Sequence, residues 1–173
     1  NFDKQLKAIE ERYNEIIKGL GLKLSLKEQF EIIRKNFEAK AGTDYAASRG
    51  EYLNGIIMAN YLGYEFIDAA SVICFDANGE FDGEKTNKVM GDRLANVESA
   101  VIPGFYGAMP NGAVKTFSRG GSDVTGSIVA RAIKADVYEN WTDVSGFLAA
   151  DPRIVDNPRP IDIITYKELR ELS

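Results

Sequence analysis

From Asp44 onward the chain alternates between segments of helical spacing and short apolar, β-favouring runs, and that alternation narrows the fold more than any other feature. Residues 44–62 carry helical periodicity and stop at Gly63. Tyr64–Ile67 and Val72–Phe75 then read as strands. Turn chemistry at Asp76-Ala77-Asn78-Gly79 and Asp82-Gly83 precedes a helix over residues 85–97 and a strand over Val101–Tyr106. Pro110-Asn111-Gly112 reads as a tight turn into a strand over Val114–Phe117. A glycine-containing loop at 118–122 then opens a helix to about Ala135, and Val137–Trp141 is the next strand. This order predicts an α/β fold with a mostly parallel sheet and helices on its faces.

Two amphipathic helices precede this region. Phe2, Leu6, Ile9, Tyr13, Ile16 and Ile17 form one apolar stripe ahead of Gly19-Leu20-Gly21. The second helix is expected to start at Ser25, in a capping box with Glu28, and to bury Leu26, Phe30, Ile33 and Phe37. Both read as peripheral packing without chemistry. Near the other end, Thr165 and Glu168 suggest a further capping box and a helix from Tyr166 that stops after two turns. Together with Asn1 at the start, this reads as a segment incomplete at both ends.

With 173 residues, 45% of them hydrophobic, the chain supports one sizeable core. Histidine is absent, which removes Ser-His-Asp and Cys-His nucleophilic sites, histidine metal ligands and histidine general bases together. The single cysteine, Cys74, excludes a thiolate cluster and reads as a reduced structural thiol. Chemistry must therefore rest on carboxylates, Lys, Arg, hydroxyls and backbone amides. Phosphoryl transfer suits that inventory, since it depends on positioning and charge stabilisation more than on a protein nucleophile. The formal net charge of −5 offers no basic field for nucleic acid. The apolar runs at Ile56–Met58 and Val72–Phe75 fall far short of the roughly 18 residues of a membrane span. A cytoplasmic protein is expected.

Three motifs can carry chemistry. Ser118-Arg119-Gly120-Gly121-Ser122-Asp123 lies between a predicted strand and a predicted helix, where glycine amides and a helix N-terminus can meet an anion and Arg119 can grip a carboxylate or phosphate. Ser122 or Asp123 serves equally well as an ordinary N-cap. Thr142-Asp143-Val144-Ser145-Gly146 follows a predicted strand at the edge where open α/β sheets bind ligands, and it also fits an Asx turn. Arg153, in Asp151-Pro152-Arg153, can meet a phosphate or decorate a turn. In Ser48-Arg49-Gly50-Glu51, a carboxylate in a helix's early turns has an ordinary electrostatic explanation.

Read together and in order, Ser48-Arg49-Gly50-Glu51-Tyr52-Leu53, the run from Leu62 to Ala70, Pro103-Gly104-Phe105-Tyr106-Gly107, Arg119 to Asp123 and the run from Trp141 to Arg153 resemble the aspartate kinases of the amino-acid kinase family. The Arg-Gly-Gly-Ser-Asp form is more like the monofunctional enzymes. The resemblance covers about residue 45 to the C-terminus, with residues 1–44 in a variable helical region. It implies a three-layer αβα sandwich with a mainly parallel sheet, and phosphorylation of the side-chain carboxylate of L-aspartate by ATP with Mg²⁺. It also implies that Arg119 holds the α-carboxylate of aspartate and Glu51 its ammonium group. Gly120, Gly121 and Ser122 would line the pocket, and Asp123 would organise the charged groups at the transfer centre. Thr142, Asp143 and the loop to Leu148 would contact adenosine, and Arg153 the phosphates. The family's N-terminal strand with its Lys-Phe-Gly-Gly motif is not found here, nor are the ACT domains through which a parent protein would form homo-oligomers. The segment alone is expected to be nearly inactive.

Overall fold

The computed structural model describes residues 2–118, 120–141, 146, 148–151 and 153–165. The chain divides at Tyr138/Glu139 into two units. In the first, α1 (Phe2–Gly19), α2 (Lys27–Glu38) and α3 (Thr43–Leu62) share a cluster of Leu6, Ile17, Leu26, Phe30, Ile33, Leu53 and Ile57. Of the stripes expected from sequence, Leu6, Ile17, Leu26, Phe30 and Ile33 are buried while Phe2 and Ile9 are exposed, and the α2 capping box does not form. Leu26 is the N-cap and makes no side-chain cap bond, while Ser25 Oγ accepts only a long bond from the Lys27 amide, 3.4 Å. Burying Leu26 to 1% exposure yields about 1.5–3 kcal/mol, against about 1 kcal/mol for a serine cap, and so sets where the helix begins.

Helix α3 ends as expected at Gly63, whose φ of +72° makes the left-handed cap. Its buried residues, Tyr45, Ser48, Arg49, Leu53, Gly55, Ile57 and Ala59, lie on more than one face. This places α3 between the α1/α2 layer and the strands.

Strand β1 (Glu65–Phe66) pairs in parallel with β2 (Ala100–Val101), in the register Glu65↔Ala100 and Phe66↔Val101. Between them lie α4 (Ala69–Val72), capped by Asp68, and α5 (Gly83–Leu94), capped by Asp82. β3 (Tyr106–Ala108) and β4 (Val114–Thr116) form an antiparallel hairpin closed by Gly112 at φ +81°, and α6 (Gly121–Ala132) follows. Ile67, Ala69, Val72, Ile73, Phe75, Met90, Tyr106 and Ile128 make the core between these elements.

The α/β class is as read from the sequence, with local corrections. The described strands give one parallel pair and one antiparallel hairpin, the latter where the Pro110 turn returns the chain directly. Val72 ends a helix started by the Asp68 cap, so of the Val72–Phe75 run only Cys74 and Phe75 pair, through isolated bridges to Ala108 and Phe81. The Val101–Tyr106 strand is interrupted at Pro103, which has no amide hydrogen, and at Phe105, with φ +61°. Val137–Trp141 forms no strand and no described residue pairs with it; Val137 and Trp141 are 72% and 88% exposed. The helix expected from Tyr166 lies outside the described residues.

Asp44, in the first turn of α3, ties this helix to β4. It accepts hydrogen bonds from the Thr116 amide (3.3 Å) and Thr116 Oγ1 (3.1 Å), and Lys115 Nζ lies 3.4 Å away. Partial burial works to raise its pKa, but these bonds and the Lys115 charge outweigh it and hold the carboxyl below the usual range. An Asp44→Ala variant is expected to lose about 1 kcal/mol at pH 7, a modest value because the carboxylate is partly solvated. A depressed folded pKa stabilises above the unfolded value of about 3.9, and that contribution vanishes as pH falls through the folded pKa. Urea denaturation at pH 7 and pH 3 should therefore show the gap between variant and wild type closing in acid.

Candidate functional site

The polar first turn of α6 is built on a glycine. Gly120 occupies the N-cap with φ +56° and no side-chain cap bond is made, so neither Ser122 nor Asp123 is the cap that the sequence allowed. Both are exposed within the first turn. The first amides of a helix have no partner within it, and the helix dipole adds partial positive charge, so this turn can receive an anion beside a hydroxyl and a carboxylate.

Behind it the packing leaves no room for side chains. A Cβ at Gly121 would stand 2.5 Å from Phe105 Cβ and 2.8 Å from its Cα, and one at Gly104 would stand 3.0 Å from Ser122 Cα. The Phe105 amide donates to Thr125 Oγ1 (3.0 Å), which donates in turn to the Gly121 carbonyl (2.7 Å), while the Phe117 amide donates to the Phe105 carbonyl (2.9 Å). Phe105 is thereby held in the left-handed region, a conformation that costs of order 1–3 kcal/mol and needs such over-determination. Sequence reasoning assigned Phe105 and Thr125 no role. The signal available was the Pro103–Gly107 motif itself.

The same loop meets α3. A Cβ at Gly55 would stand 3.1 Å from the Phe66 ring and 3.5 Å from Pro103. Glu51, half-buried, lies one turn earlier on that helix. Its charge adds to burial in raising the Tyr13 hydroxyl pKa, and Tyr13 donates to the Gly50 carbonyl at 2.9 Å. Gly55, one turn beyond Glu51 on α3, and the Gly120–Asp123 turn thus both border the Pro103–Phe105 loop.

In the same turn as Glu51 lies Arg49, to which the sequence assigned no role of its own, among three tyrosine rings. Arg49 is 8% exposed, and its guanidinium carbon lies 4.5 Å from the ring centroids of Tyr45 and Tyr52 and 5.3 Å from that of Tyr106. Its Nε and Nη2 donate to Ser48 Oγ at 3.2 and 3.0 Å, and among the described residues it has no carboxylate ion-pair partner. Desolvated cation–π contacts of about 2 kcal/mol each can offset part of the cost of burying the charge. Tyr106 donates its hydroxyl to Asp68 Oδ1 at 2.7 Å. Burial first, then the Asp68 charge and this hydrogen bond, raise its pKa far above the usual tyrosine value. Tyr106→Phe should cost about 1.5–2 kcal/mol in urea denaturation, with no change between pH 6 and 9 because the phenol stays neutral throughout.

In the second unit, Leu148 makes an isolated antiparallel bridge with Pro160, and the Ala149 amide donates to the Arg159 carbonyl. Arg153 closes a fork on Asp151, with Nη2 to Oδ2 at 2.7 Å and Nε to Oδ1 at 3.0 Å. Its amide also donates to Oδ1, at 2.8 Å. These bonds lower the Asp151 pKa and raise that of Arg153. Arg153 is therefore turn-closing here, with its side chain 87% exposed. Arg119, Thr142 and Asp143 lie outside the described residues.

The model for the amino acid kinase family matches residues 3–173. The chain belongs to the amino acid kinase family. It is 38% identical to aspartokinase 3 of Bacillus subtilis over 138 residues, which is 75% of this chain and 30% of that protein. A crystal structure of Clostridium acetobutylicum aspartate kinase matches with a TM-score of 0.91 and 57% identity, over 99% of this chain and 40% of that one. Escherichia coli aspartokinase III, solved in complex with aspartate and ADP, matches with a TM-score of 0.75 and 26% identity, over 92% of this chain and 40% of that one. The chain thus spans 30–40% of the length of these relatives. The family expected from the motifs is the family found, and the α/β fold is that of its solved aspartate kinases. No described helix is long and apolar enough to cross a membrane.

Proposed function

We propose that the protein of which this kinase-family chain forms part transfers the γ-phosphoryl of ATP to the side-chain carboxylate of L-aspartate. The observation that carries this reading is the match to the C. acetobutylicum aspartate kinase over 99% of the chain. The site geometry agrees with it. A small zwitterion needs an anion receptor and a carboxylate, and the α6 first turn, which packs on the Pro103–Phe105 loop, and the α3 residue Glu51 offer these two chemistries. In this reading Arg119 takes the α-carboxylate, Glu51 the ammonium group, and Gly120, Gly121 and Ser122 line the pocket. Asp123 organises the charges at the transfer centre. Thr142, Asp143 and the loop to Leu148 take adenosine, and Arg153 exchanges its Asp151 fork for phosphate oxygens. The acceptor carboxylate is already ionised at neutral pH, so no general base is required and the absence of histidine is no obstacle.

Magnesium would enter with the nucleotide. Among the described residues no group of three or more acidic, Cys or His side chains is placed to hold a metal. A magnesium ion needs only one or two carboxylates besides phosphates, however, and exposed Asp123 fits that requirement. The ion would supply charge neutralisation on the transferring group; the chain's own residues bind and align the two substrates. We place the parent protein in the cytoplasm, with regulatory ACT domains joining its copies, and expect residues 1–173 alone to be nearly inactive.

A panel of acceptors tests the substrate. ADP release by the full-length protein should depend on L-aspartate and be negligible with glutamate, N-acetylglutamate or UMP. Release with one of those, and none with aspartate, would move the assignment to another reaction of the family.

A further inference from the structure

We infer that Arg49 is a positioning residue for the acceptor site, setting Glu51 against the α6 turn through its stack on Tyr106. The inference rests on the proposed reading of that site. Arg49 stands between Ser48 and the Gly50-Glu51 pair on α3, and its two hydrogen bonds to Ser48 Oγ fix the guanidinium to its own helix. Ser48 is fully buried and its hydroxyl donates to the Tyr45 carbonyl, so that anchor is itself immobile. The guanidinium then faces the Tyr106 ring on β3, 5.3 Å away. Tyr106 directly follows Phe105, the left-handed residue whose Cα and Cβ abut Gly121 and whose amide is tied to Thr125 of α6. At its far end, Tyr106 is tethered to Asp68. One rigid path thus runs from the helix bearing Glu51, through Arg49 and Tyr106, to the floor beneath Gly121 and Ser122.

Stability alone does not account for this residue. A buried cation with no carboxylate partner among the described residues is a poor way to fill a core, and a methionine of similar length would fill the same space without the desolvation cost. The planar cation does something methionine cannot: it fixes both the distance and the tilt of an aromatic ring relative to its own helix. Neither Arg49 nor Tyr106 belongs to the segment from Glu139 onward, where the nucleotide contacts are proposed, so the effect should fall on aspartate and spare ATP.

The test uses the full-length protein and the Arg49→Met and Arg49→Lys variants, with steady-state kinetics in both substrates and thermal unfolding. Wild-type turnover with aspartate establishes the underlying reading independently. Given that, Arg49→Met should raise KM for aspartate about tenfold or more, with kcat within about threefold, KM for ATP unchanged and Tm equal to wild type or higher. Arg49→Lys, which keeps the charge without the planar stack, should fall between the two. An unchanged aspartate KM in Arg49→Met would overturn the inference. So would a Tm loss of more than about 5 °C with both KM values and kcat degraded together, or failure of that variant to fold, since either marks a purely structural role.

Discussion

Replacing Gly121 by alanine should destabilise the protein by about 2–3 kcal/mol and raise its KM for aspartate by an order of magnitude or more. The first helical position ordinarily favours alanine over glycine, by up to about 1 kcal/mol, so local propensity predicts the opposite sign. What reverses it is tertiary. The new methyl would lie 2.5 Å from Phe105 Cβ, 2.8 Å from Phe105 Cα and 3.1 Å from Phe117 Cβ. These atoms sit on the backbone or next to it and cannot swing aside as a side-chain tip would. Nor can Phe105 retreat, because its amide and carbonyl are both committed and its φ is already in the left-handed region. The helix must shift outward, carrying Ser122 and Asp123 with it. Urea denaturation and aspartate kinetics on the intact protein measure the two effects; an unshifted midpoint would mean that the floor beneath the turn is softer than described.

Arg119→Ala should have the larger effect on activity. In the proposed site Arg119 supplies the planar pair of donors for the α-carboxylate of aspartate, beside the partial positive charge of the α6 start. Truncating one partner of a desolvated charge-assisted pair costs about 2–5 kcal/mol, or roughly 30- to several-thousand-fold in kcat/KM. Arg119→Lys should recover only part of the loss, since an ammonium group cannot reproduce the fork. A variant within threefold of wild type in kcat/KM for aspartate would remove Arg119 from the acceptor site.

Much of the fold could be read from periodicity. The stripe of Leu26, Phe30 and Ile33, the Gly63 stop and the tight turn at Pro110–Gly112 are local signals, and the structure follows them. The failures have non-local causes. Leu26 displaced the Ser25 cap because a core formed by α1 and α3 claimed it, and Val72 became helical because Asp68 caps the turn before it. The break at Phe105 is dictated by Thr125, twenty residues away, a contact no local pattern records. The site shows the same division. Gly121 stood out as a glycine in a motif, but the reason it must be glycine lies in Phe105. Arg49 stood in the Ser48–Glu51 motif without a role of its own, and only packing shows three tyrosine rings around it.

The most direct test of the proposed activity is to incubate the full-length protein with L-aspartate, ATP and Mg²⁺ in the presence of hydroxylamine and to quantify aspartyl hydroxamate. Attack of the β-carboxylate on the γ-phosphorus breaks its bond to the bridging oxygen, releases ADP and leaves an acyl phosphate, which hydroxylamine captures with release of phosphate. Hydroxamate formation should require aspartate, ATP and Mg²⁺ together and be lost in Arg119→Ala. Absence of hydroxamate from a folded, ATP-binding full-length protein would contradict the proposed activity.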